Sequence, residues 1–329
     1  MSEHAPGSTW RGLRAVAGAR VRERRLRPAD TAGVRVLTYH GVVERKSDPY
    51  LERNFHTVQQ FRDHLRILGR HRVVAPGEVV TAAKQASQLT IAITFDDGYR
   101  NNDIAAEFLE AARLPWTLYV STGEVGRGAT IWTARLGLLL LHGKAPSIDA
   151  FDQRWKLSDR ELRLACFGVV RRRAKQLGRE ERVAFLDDLV SQFEPEEEQR
   201  LLDEFPSFRM LDWPGLRSLR DSGATIGSHG VTHEVHHERQ PDHVINEELH
   251  DSQRTIRAEL GSECTTLAYP NGDFTDRSRQ VARDVGYLTA YTTVDGTVHA
   301  DSDPLTLPRM TARGDLVEFE RSLLRGRSE

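Results

Sequence analysis

The sequence predicts an α/β protein in which strand–helix units repeat around a parallel sheet, either open or closed into a barrel. Short runs rich in β-branched and aromatic residues alternate with segments whose apolar residues recur at helical spacing. The run "LTIAITF" (89–95) is apolar throughout, as expected of a strand covered on both faces. In such folds the reactive groups gather beyond the carboxyl ends of the strands, so the residues that follow each strand carry the functional signal.

The first half of the chain contains regular strand–helix units. Residues 57–70 are typical of a helix because Val58, Phe61 and Leu65 recur at helical spacing. Pro76 suits the first turn of the next helix. Strands are predicted at 34–39, 71–76, 89–95 and 115–122, with helices at 57–70, 76–86 and 102–114.

The same alternation returns in the last third of the chain. A helix that stops at Gly223 precedes a strand at 224–229, and a long helix spans 241–261. Further strands are predicted at 265–270, 287–293 and 304–310.

Residues 124–212 interrupt the alternation. Their segments look helical, short and charged on one side, which predicts a helical insertion between two strand–helix units and not an independent domain. The runs "RRRAK" and "EPEEEQR" are interpreted as solvated helix faces. The stretch "GRGATIWTARLG" could form a lid with Trp132 as a substrate platform, and packing of Trp132 in the core is the alternative.

The composition is that of a soluble globular protein. Of the 329 residues 39% are hydrophobic and 29% charged, and the net charge of −2 gives no reason to expect a nucleic-acid partner. Cys166 and Cys264 cannot form a disulfide framework and fit a reducing compartment. No apolar run approaches the roughly 18–20 residues of a membrane span.

Residues 1–33 form a basic N-terminal segment. Its apolar stretch is too short for a secretion signal, so we predict no export and a cytoplasmic protein. A frayed or weakly docked helix is the simplest interpretation. The alternative is an amphipathic helix that contacts an anionic membrane, which would place the protein at the inner face of that membrane.

Acidic and histidine residues follow two of the predicted strands. Asp96 and Asp97 come directly after strand 89–95, and His229 ends strand 224–229 with His233 four residues later. Two imidazoles at this spacing can meet one cation, although the pattern alone is weak. Either aspartate could supply the anionic third ligand and leave the other as a free base. Such a set leaves coordination positions open, as in catalytic metal sites.

Three other interpretations of these residues fit the sequence less well. A metalloprotease of the HExxH type needs a glutamate directly after the first histidine, where this chain has Gly230. A haloacid-dehalogenase phosphatase needs a spacer between its two aspartates, and Asp96 and Asp97 are adjacent. The third alternative is an ordinary turn in which Gly98 supplies the positive φ.

Two motifs together resemble a known family. "TFDDGY" (94–99) and "SHGVTH" (228–233) resemble the NodB-type polysaccharide deacetylases, carbohydrate esterase family 4. "VLTYHGV" (36–42) is similar to the permuted branch that includes the poly-N-acetylglucosamine deacetylases. The resemblance covers roughly 34–123 and 214–324. It implies one domain over 34–329, an irregular (β/α) barrel with a helical insertion at about 124–212.

The resemblance also implies roles for individual residues. Asp96 would be the general base, and Asp97, His229 and His233 would bind the metal. In "AYPNGD" (268–273), the backbone N–H of Asn271 would help to hold the oxyanion.

The general acid and the partner of the base are less directly specified. The resemblance suggests His40, in "TYHGV", as the acid that protonates the leaving amine, against a buried structural histidine. The residues before Pro270 are Ala268 and Tyr269, where the non-permuted members carry an arginine, and only His299 loosely matches the late histidine motif of those members. Arg309 is expected to pair with Asp96, with a surface or strand-capping salt bridge as the alternative.

The predicted function is metal-dependent hydrolysis of an N-acyl group, above all N-acetyl, from an amino sugar. The partner would be an N-acylated sugar in a glycan, a lipid-linked or a nucleotide-linked precursor. The ligand set suits Zn²⁺, with Co²⁺, Ni²⁺ or Mn²⁺ as alternatives. The alternative functions are a sugar deformylase or other small-amide hydrolase, and an inactive carbohydrate-binding module.

Overall fold

The computed structural model describes residues 32–324. The strands are β1 (Gly33–Tyr39), β2 (Gly41–Val43), β3 (Phe55–Thr57), β4 (Arg72–Val73), β5 (Leu89–Phe95), β6 (Trp116–Val120), β7 (Ser147–Ala150), β8 (Gln153–Lys156), β9 (Thr225–Ser228), β10 (Thr266–Ala268), β11 (Thr289–Tyr291) and β12 (Met310–Thr311). The helices are α1 (Val58–Leu68), α2 (Val79–Gln85), α3 (Asn102–Ala112), α4 (Trp132–His142), α5 (Arg160–Ala174), α6 (Arg179–Val190), α7 (Glu197–Glu204), α8 (Trp213–Asp221), α9 (Asp242–Leu260), α10 (Asp276–Val285) and α11 (Leu316–Leu324).

The main sheet is parallel and curls into a half-barrel. Its strand order is β11-β10-β9-β6-β5-β1-β12, with β4 beside β5. The register of β1 against β5 runs from Gly33 opposite Leu89 to Tyr39 opposite Phe95, and every residue of β5 is buried. Helices cover the sheet, so its central strands are apolar on both faces. The predicted (β/α)-barrel fold class is confirmed.

Residues 304–312 join the two edges of the curled sheet. Leu307 pairs with Tyr291 of β11, whereas Met310 pairs with Leu37 of β1. The backbone N–H of Ala312 then donates to the carbonyl of Thr38 at 3.1 Å, an ordinary hydrogen-bond length. The predicted strand at 304–310 is therefore wrong in extent, because the segment crosses between two strands and only Met310–Thr311 form β12.

The insertion is not wholly helical. Between α4 and α5 the chain forms an antiparallel hairpin of β7 and β8, which the sequence interpretation missed. Phe151 and Asp152 occupy its two-residue turn with φ of 55° and 60°. Two-residue turns with positive φ at both positions usually contain Asn-Gly. The sequence "FD" at these positions therefore does not predict a hairpin. Helices α10 and α11 were also not predicted.

The insertion packs onto the barrel through its own apolar cluster. Leu136, Phe167 and Leu189 lie in this cluster together with Phe55 and Tyr99 from the barrel side. The insertion is therefore held against the rim of the sheet where the predicted site residues lie. Among residues 32–324, no helix is long and apolar enough to cross a membrane. The predictions for the basic N-terminal segment lie outside the described residues, apart from the first residues of β1.

Candidate active site

The two adjacent aspartates lie at the carboxyl end of β5, in the middle of the sheet. Asp97 has φ of 78° and Gly98 has φ of 90°, so the chain turns sharply after Asp96. A side chain on Gly98 would bring its Cβ within 3.1 Å of Val120. Aspartate tolerates the left-handed region better than most residues. The turn gives Asp96 and Asp97 different partners, which explains how two adjacent carboxylates are accommodated.

Asp97 faces the two histidines of "SHGVTH". Its Oδ1 lies 3.4 Å from Nε2 of His229 and 3.4 Å from Nε2 of His233. One ligand atom from each of the three residues lies within 4.8 Å of the others, and all three residues are buried. This spacing suits a single cation, so the structure contains a candidate metal site at the residues that the family resemblance implies.

The tautomer of His229 also fits a metal ligand. Its Nδ1 lies 2.7 Å from the carbonyl oxygen of Ala268, and an N–H there must donate because the carbonyl only accepts. In the neutral ring, the form that binds a metal, the Nε2 atom facing Asp97 therefore carries the lone pair. Metal-binding histidines commonly show this second hydrogen bond, which fixes the ring and raises its basicity.

Two contacts hold the loop that carries the histidines. Glu248 of α9 accepts hydrogen bonds from the N–H groups of Val231 (2.7 Å) and Thr232 (3.0 Å) and from the Thr232 hydroxyl (2.7 Å). A Cβ on Gly230 would meet Glu248 Oε2 at 2.6 Å, so glycine is required there. Trp132 of the insertion donates from Nε1 to the carbonyl of His233 at 3.0 Å.

Trp132 thus supports the backbone of the loop that carries His233. Its side chain is buried and stacks against Arg182, with 4.9 Å between the guanidinium carbon and the ring centroid. The substrate-platform interpretation of Trp132 is wrong, and the core-packing alternative is correct.

Asp96 pairs with Arg309. Arg309 Nη1 and Nη2 lie 2.7 Å from Oδ1 and Oδ2 of Asp96, and Nε donates to the carbonyl of Thr292 at 2.9 Å. Arg309 is only 1% exposed, which excludes a surface salt bridge. Burial alone would raise the pKa of Asp96, but the charge of Arg309 and that of His229 hold it below its usual value. Asp96 is therefore ionised at neutral pH.

The electrostatics of Asp97 and its partners suit a cation. Burial opposes ionisation of Asp97, yet hydrogen bonds from His229 and His233 hold its pKa well below the usual range. Burial also lowers the pKa of His233, whereas for His229 the charges of Asp96 and Asp97 outweigh burial and raise the pKa. A negative carboxylate beside two ring nitrogens is the donor set that zinc and similar divalent ions prefer.

His40 and Asn271 lie in the same cavity. His40 follows β1 directly, and its buried Nδ1 has no hydrogen-bond partner among the described residues, so it does not bond the strand end. Asn271 follows β10 through Pro270 with φ of 61° and ψ of 0°. His299 lies beside Gly33, at the opposite end of β1 from His40, and so is remote from the site.

The cavity has a volume of about 320 Å³ and combines barrel and insertion residues. Asp96, Asp97, His229 and His233 line it together with His40 and Asn271. Residues of the insertion line it too, among them Phe167, Arg171 and Lys175 on or directly after α5. The structure thus brings the predicted catalytic and metal residues into one place, with Arg309 behind Asp96.

Sequence reasoning misjudged some residues of this region. Arg171 and Lys175 belong to "RRRAK", a run that predicts a solvated helix face, yet both line the cavity. The available signal is that Phe167, Arg171 and Lys175 recur every four residues, which places all three on one helix face. His236 lies in the polar run "HEVHHER" (233–239), which suggests an exposed loop, but its side chain is 1% exposed and lies against Tyr269, with 5.8 Å between ring centroids.

Comparison with known proteins decides the family. A family model described as polysaccharide deacetylase matches residues 83–290, more than half of the chain. The chain belongs to the polysaccharide deacetylase family. The matched region of this deacetylase includes Asp96, Asp97, His229, His233 and Asn271, whereas His40 and Arg309 lie outside it. A search of curated protein sequences found no significant match.

Solved structures share the fold of this deacetylase at low sequence identity. The Streptococcus pyogenes deacetylase PplD in complex with acetate has a TM-score of 0.56 and 17% identity, covering 88% of this chain and 98% of its own. IcaB from Ammonifex degensii has a TM-score of 0.58 and 16% identity, covering 90% and 98%. The de-N-acetylase from Aggregatibacter actinomycetemcomitans has a TM-score of 0.53 and 12% identity, covering 88% and 99%. At such identities the likeness shows the fold.

Proposed function

We propose that this member of the polysaccharide deacetylase family is a metal-dependent hydrolase that removes an N-acyl group, above all N-acetyl, from an amino sugar. The observation that supports this most strongly is the separation of roles between the two aspartates. Asp97 Oδ1 lies 3.4 Å from Nε2 of both histidines, whereas the carboxylate of Asp96 forms its ion pair with Arg309. A sugar-binding module has no need of a free base beside a metal site.

Each residue has a definable task in the reaction. A divalent cation held by Asp97, His229 and His233 would polarise the acyl carbonyl and lower the pKa of a nearby water. Asp96 takes one proton from the attacking water, whose oxygen joins the acyl carbon. The Asn271 N–H stabilises the negative charge that develops on the acyl oxygen. His40 gives a proton to the nitrogen as the C–N bond breaks.

The products are a carboxylic acid and a free amino sugar. The proton that Asp96 receives balances the one that His40 gives, and exchange with solvent restores both groups. The proposed substrates are an N-acetylated sugar in a glycan, a lipid-linked or a nucleotide-linked precursor. Zn²⁺ is the proposed ion because two imidazoles and one carboxylate are typical of catalytic zinc sites.

An assay of acyl release tests this proposal. The purified protein, first treated with chelator and then supplied with Zn²⁺, Co²⁺, Ni²⁺ or Mn²⁺, is incubated with N-acetyl and N-formyl amino sugars. We expect acetate release that stops after chelation and returns with metal, and none from Asp96→Asn. Preferential formate release would identify a deformylase. Sugar binding without release with any of the four ions would identify a binding module and contradict the proposal.

A further inference from the structure

The lining of the active-site cavity contains a cluster of three cations. Arg53 precedes β3, whereas Arg171 and Lys175 lie at the C-terminal end of α5, and all three line the cavity that contains Asp96 and Asp97. Cations at a helix C-terminus are favoured by the helix dipole, which accounts for part of the charge on α5. It does not account for Arg53, which comes from a separate segment of the chain.

The cluster is not neutralised by protein carboxylates. Among residues 32–324, none of the ion pairs within 4.0 Å involves Arg53, Arg171 or Lys175. The two carboxylates that line the cavity already have partners, because Asp96 is bound to Arg309 and Asp97 faces the histidines. The cavity therefore has unpaired positive charge on one side.

Aromatic rings hold the two guanidinium groups in place. Arg53 lies over the ring of Tyr50 at 5.6 Å and Arg171 over the ring of Phe167 at 5.1 Å, and the centroids of these two rings are 6.2 Å apart. Stacking on aromatic faces restrains a guanidinium without using its N–H donors. The donors of both arginines are thus left for a ligand, apart from one bond from Arg53 to the carbonyl of Tyr50.

Lys175 shows the effect of this crowding. Burial, with the charges of Arg171 and Arg53, lowers its pKa to about 8, against the opposing charge of Asp273. Its ammonium contacts the side-chain oxygen of Asn271, so the cluster reaches the loop that carries the proposed oxyanion donor. An anion at this place would relieve the repulsion among the three cations.

We propose that Arg53, Arg171 and Lys175 form a subsite for the phosphate of a phosphate-linked N-acyl amino sugar. A carboxylate needs one guanidinium, whereas two forks and an ammonium match the several oxygens and two charges of a phosphate monoester or diphosphate. This inference rests on the proposed hydrolase function and narrows its substrate to sugars joined through phosphate, whether to a nucleotide or to a lipid.

The test compares substrates that differ only in the attached group. Initial rates are measured for a neutral N-acetylglucosamine oligomer, N-acetylglucosamine 1-phosphate, the nucleotide diphosphate sugar and a short polyprenyl diphosphate sugar. We expect kcat/KM at least tenfold higher for the phosphate-linked substrates, mainly through KM. Comparison of kcat/KM between the nucleotide diphosphate sugar and the polyprenyl diphosphate sugar shows whether the phosphate belongs to a nucleotide or to a lipid. An equal or higher kcat/KM for the neutral oligomer would overturn the proposal.

A pair of variants isolates the charge cluster. Arg53→Gln/Arg171→Gln should lower kcat/KM for the phosphate-linked substrates by about tenfold or more for each lost charged contact, with little change for the neutral sugar. Arg172→Gln/Arg254→Gln removes the same charge from exposed positions outside the cavity and should behave as wild type. Equal losses on neutral and phosphate-linked sugars would contradict the subsite. Arg53→Gln alone, at an exposed position, provides the same comparison if the double variant does not fold.

Binding measured without turnover separates this inference from the proposed function. Calorimetry with N-acetylglucosamine 1-phosphate and the metal-loaded Asp96→Asn protein should show binding that weakens when Arg53 and Arg171 are replaced. Arginine-dependent binding with no hydrolysis of any substrate by the wild type would reject the function and retain the subsite. Hydrolysis with arginine-independent binding would reject the subsite alone.

Discussion

Arg309 binds both carboxylate oxygens of Asp96 through hydrogen bonds of 2.7 Å, although 213 residues separate the two in the sequence. Both side chains are fully buried, and the guanidinium also donates to Thr94 Oγ1 at 3.2 Å. In a buried ion pair with this bidentate geometry, both groups stay charged although the surroundings have a low dielectric constant. The arrangement sets the protonation state of the proposed base.

Replacing Arg309 should move the acidic limb of the pH–rate profile upward. The arginine lowers the pKa of Asp96, so Asp96 stays ionised as the pH falls. In Arg309→Gln that pKa rises, because burial then acts without the opposing charge of the arginine. The acidic limb of the profile should therefore move to higher pH, and activity should fall by a larger factor on the acidic side than near pH 9. The measurement is kcat/KM against pH.

Stability requires a control in that experiment. An unpaired buried Asp96 costs about 3–5 kcal/mol, so folding of the variant is checked at each pH. Arg309→Lys keeps the charge and should show a smaller shift. Arg279→Gln, which breaks a partly exposed pair with Asp303, should leave the profile unchanged. A uniform loss at all pH values in Arg309→Gln would mean that the arginine does not tune the base.

The two aspartates should respond differently to substitution. Asp97→Ala removes the carboxylate that faces both histidines, so we expect loss of bound metal and therefore of activity. Asp96→Asn keeps the shape of the turn and should retain metal while turnover falls by about 10²–10⁴, the range for a general base. Metal content by mass spectrometry and initial rates test this. Equal metal loss in both variants would show that the roles are assigned wrongly.

The hydrogen bond from Trp132 should contribute to metal retention. Trp132→Phe keeps an aromatic ring beside Arg182 but removes the Nε1–H that donates to the carbonyl of His233. We expect metal affinity to fall about tenfold, the lower end for contacts that support a ligand. Trp155→Phe is the matched control, because its indole donates to Ala150 within the hairpin at 3.2 Å. Equal affinities for the two variants would assign Trp132 to packing alone.

Glu248 should hold the histidine loop in its binding conformation. Glu248→Gln keeps the size of the side chain but replaces the carboxylate by a neutral amide, so the hydrogen bonds from Val231 and Thr232 lose a charged acceptor. We expect about 1–3 kcal/mol of lost stability and metal affinity 10–100-fold weaker. Thermal unfolding and metal titration measure the two effects.

The control for Glu248 lies on the same helix. Glu259→Gln affects an exposed pair with Arg217 and should change neither quantity appreciably. If Glu248→Gln lowers stability but leaves the metal affinity unchanged, the loop conformation does not depend on this carboxylate.

The parts of the fold that the sequence predicts well are those set by local patterns. Strand β5 is apolar over its whole length, and the helix predicted at 241–261 is observed as Asp242–Leu260 with Gly261 at φ 63°. The family motifs also identify the residues that meet at the carboxyl ends of β5 and β9, because parallel strands bring those ends to one edge.

The parts that the sequence could not predict depend on contacts between distant segments. The polar context of His236 suggests exposure, and only its packing against Tyr269 makes it buried. The inward position of Arg171 and Lys175 depends on how α5 rests on the barrel rim. The hairpin of β7 and β8 depends on positive φ at Phe151 and Asp152, residues that seldom mark such a turn.

Catalytic activity also depends on residues 304–312, the segment that joins the two edges of the sheet. Arg309 lies between Leu307, which bonds to β11, and Met310, which pairs with β1. The contact of Met310 with Leu37 joins the two ends of the described chain, and closing so long a loop costs more conformational entropy than forming a local contact. If the three candidate metal ligands were in place but this segment had not docked, Asp96 would lack the positive charge of Arg309. Catalytic competence therefore reports completed folding, and activity serves as a more stringent test of the native state than metal binding.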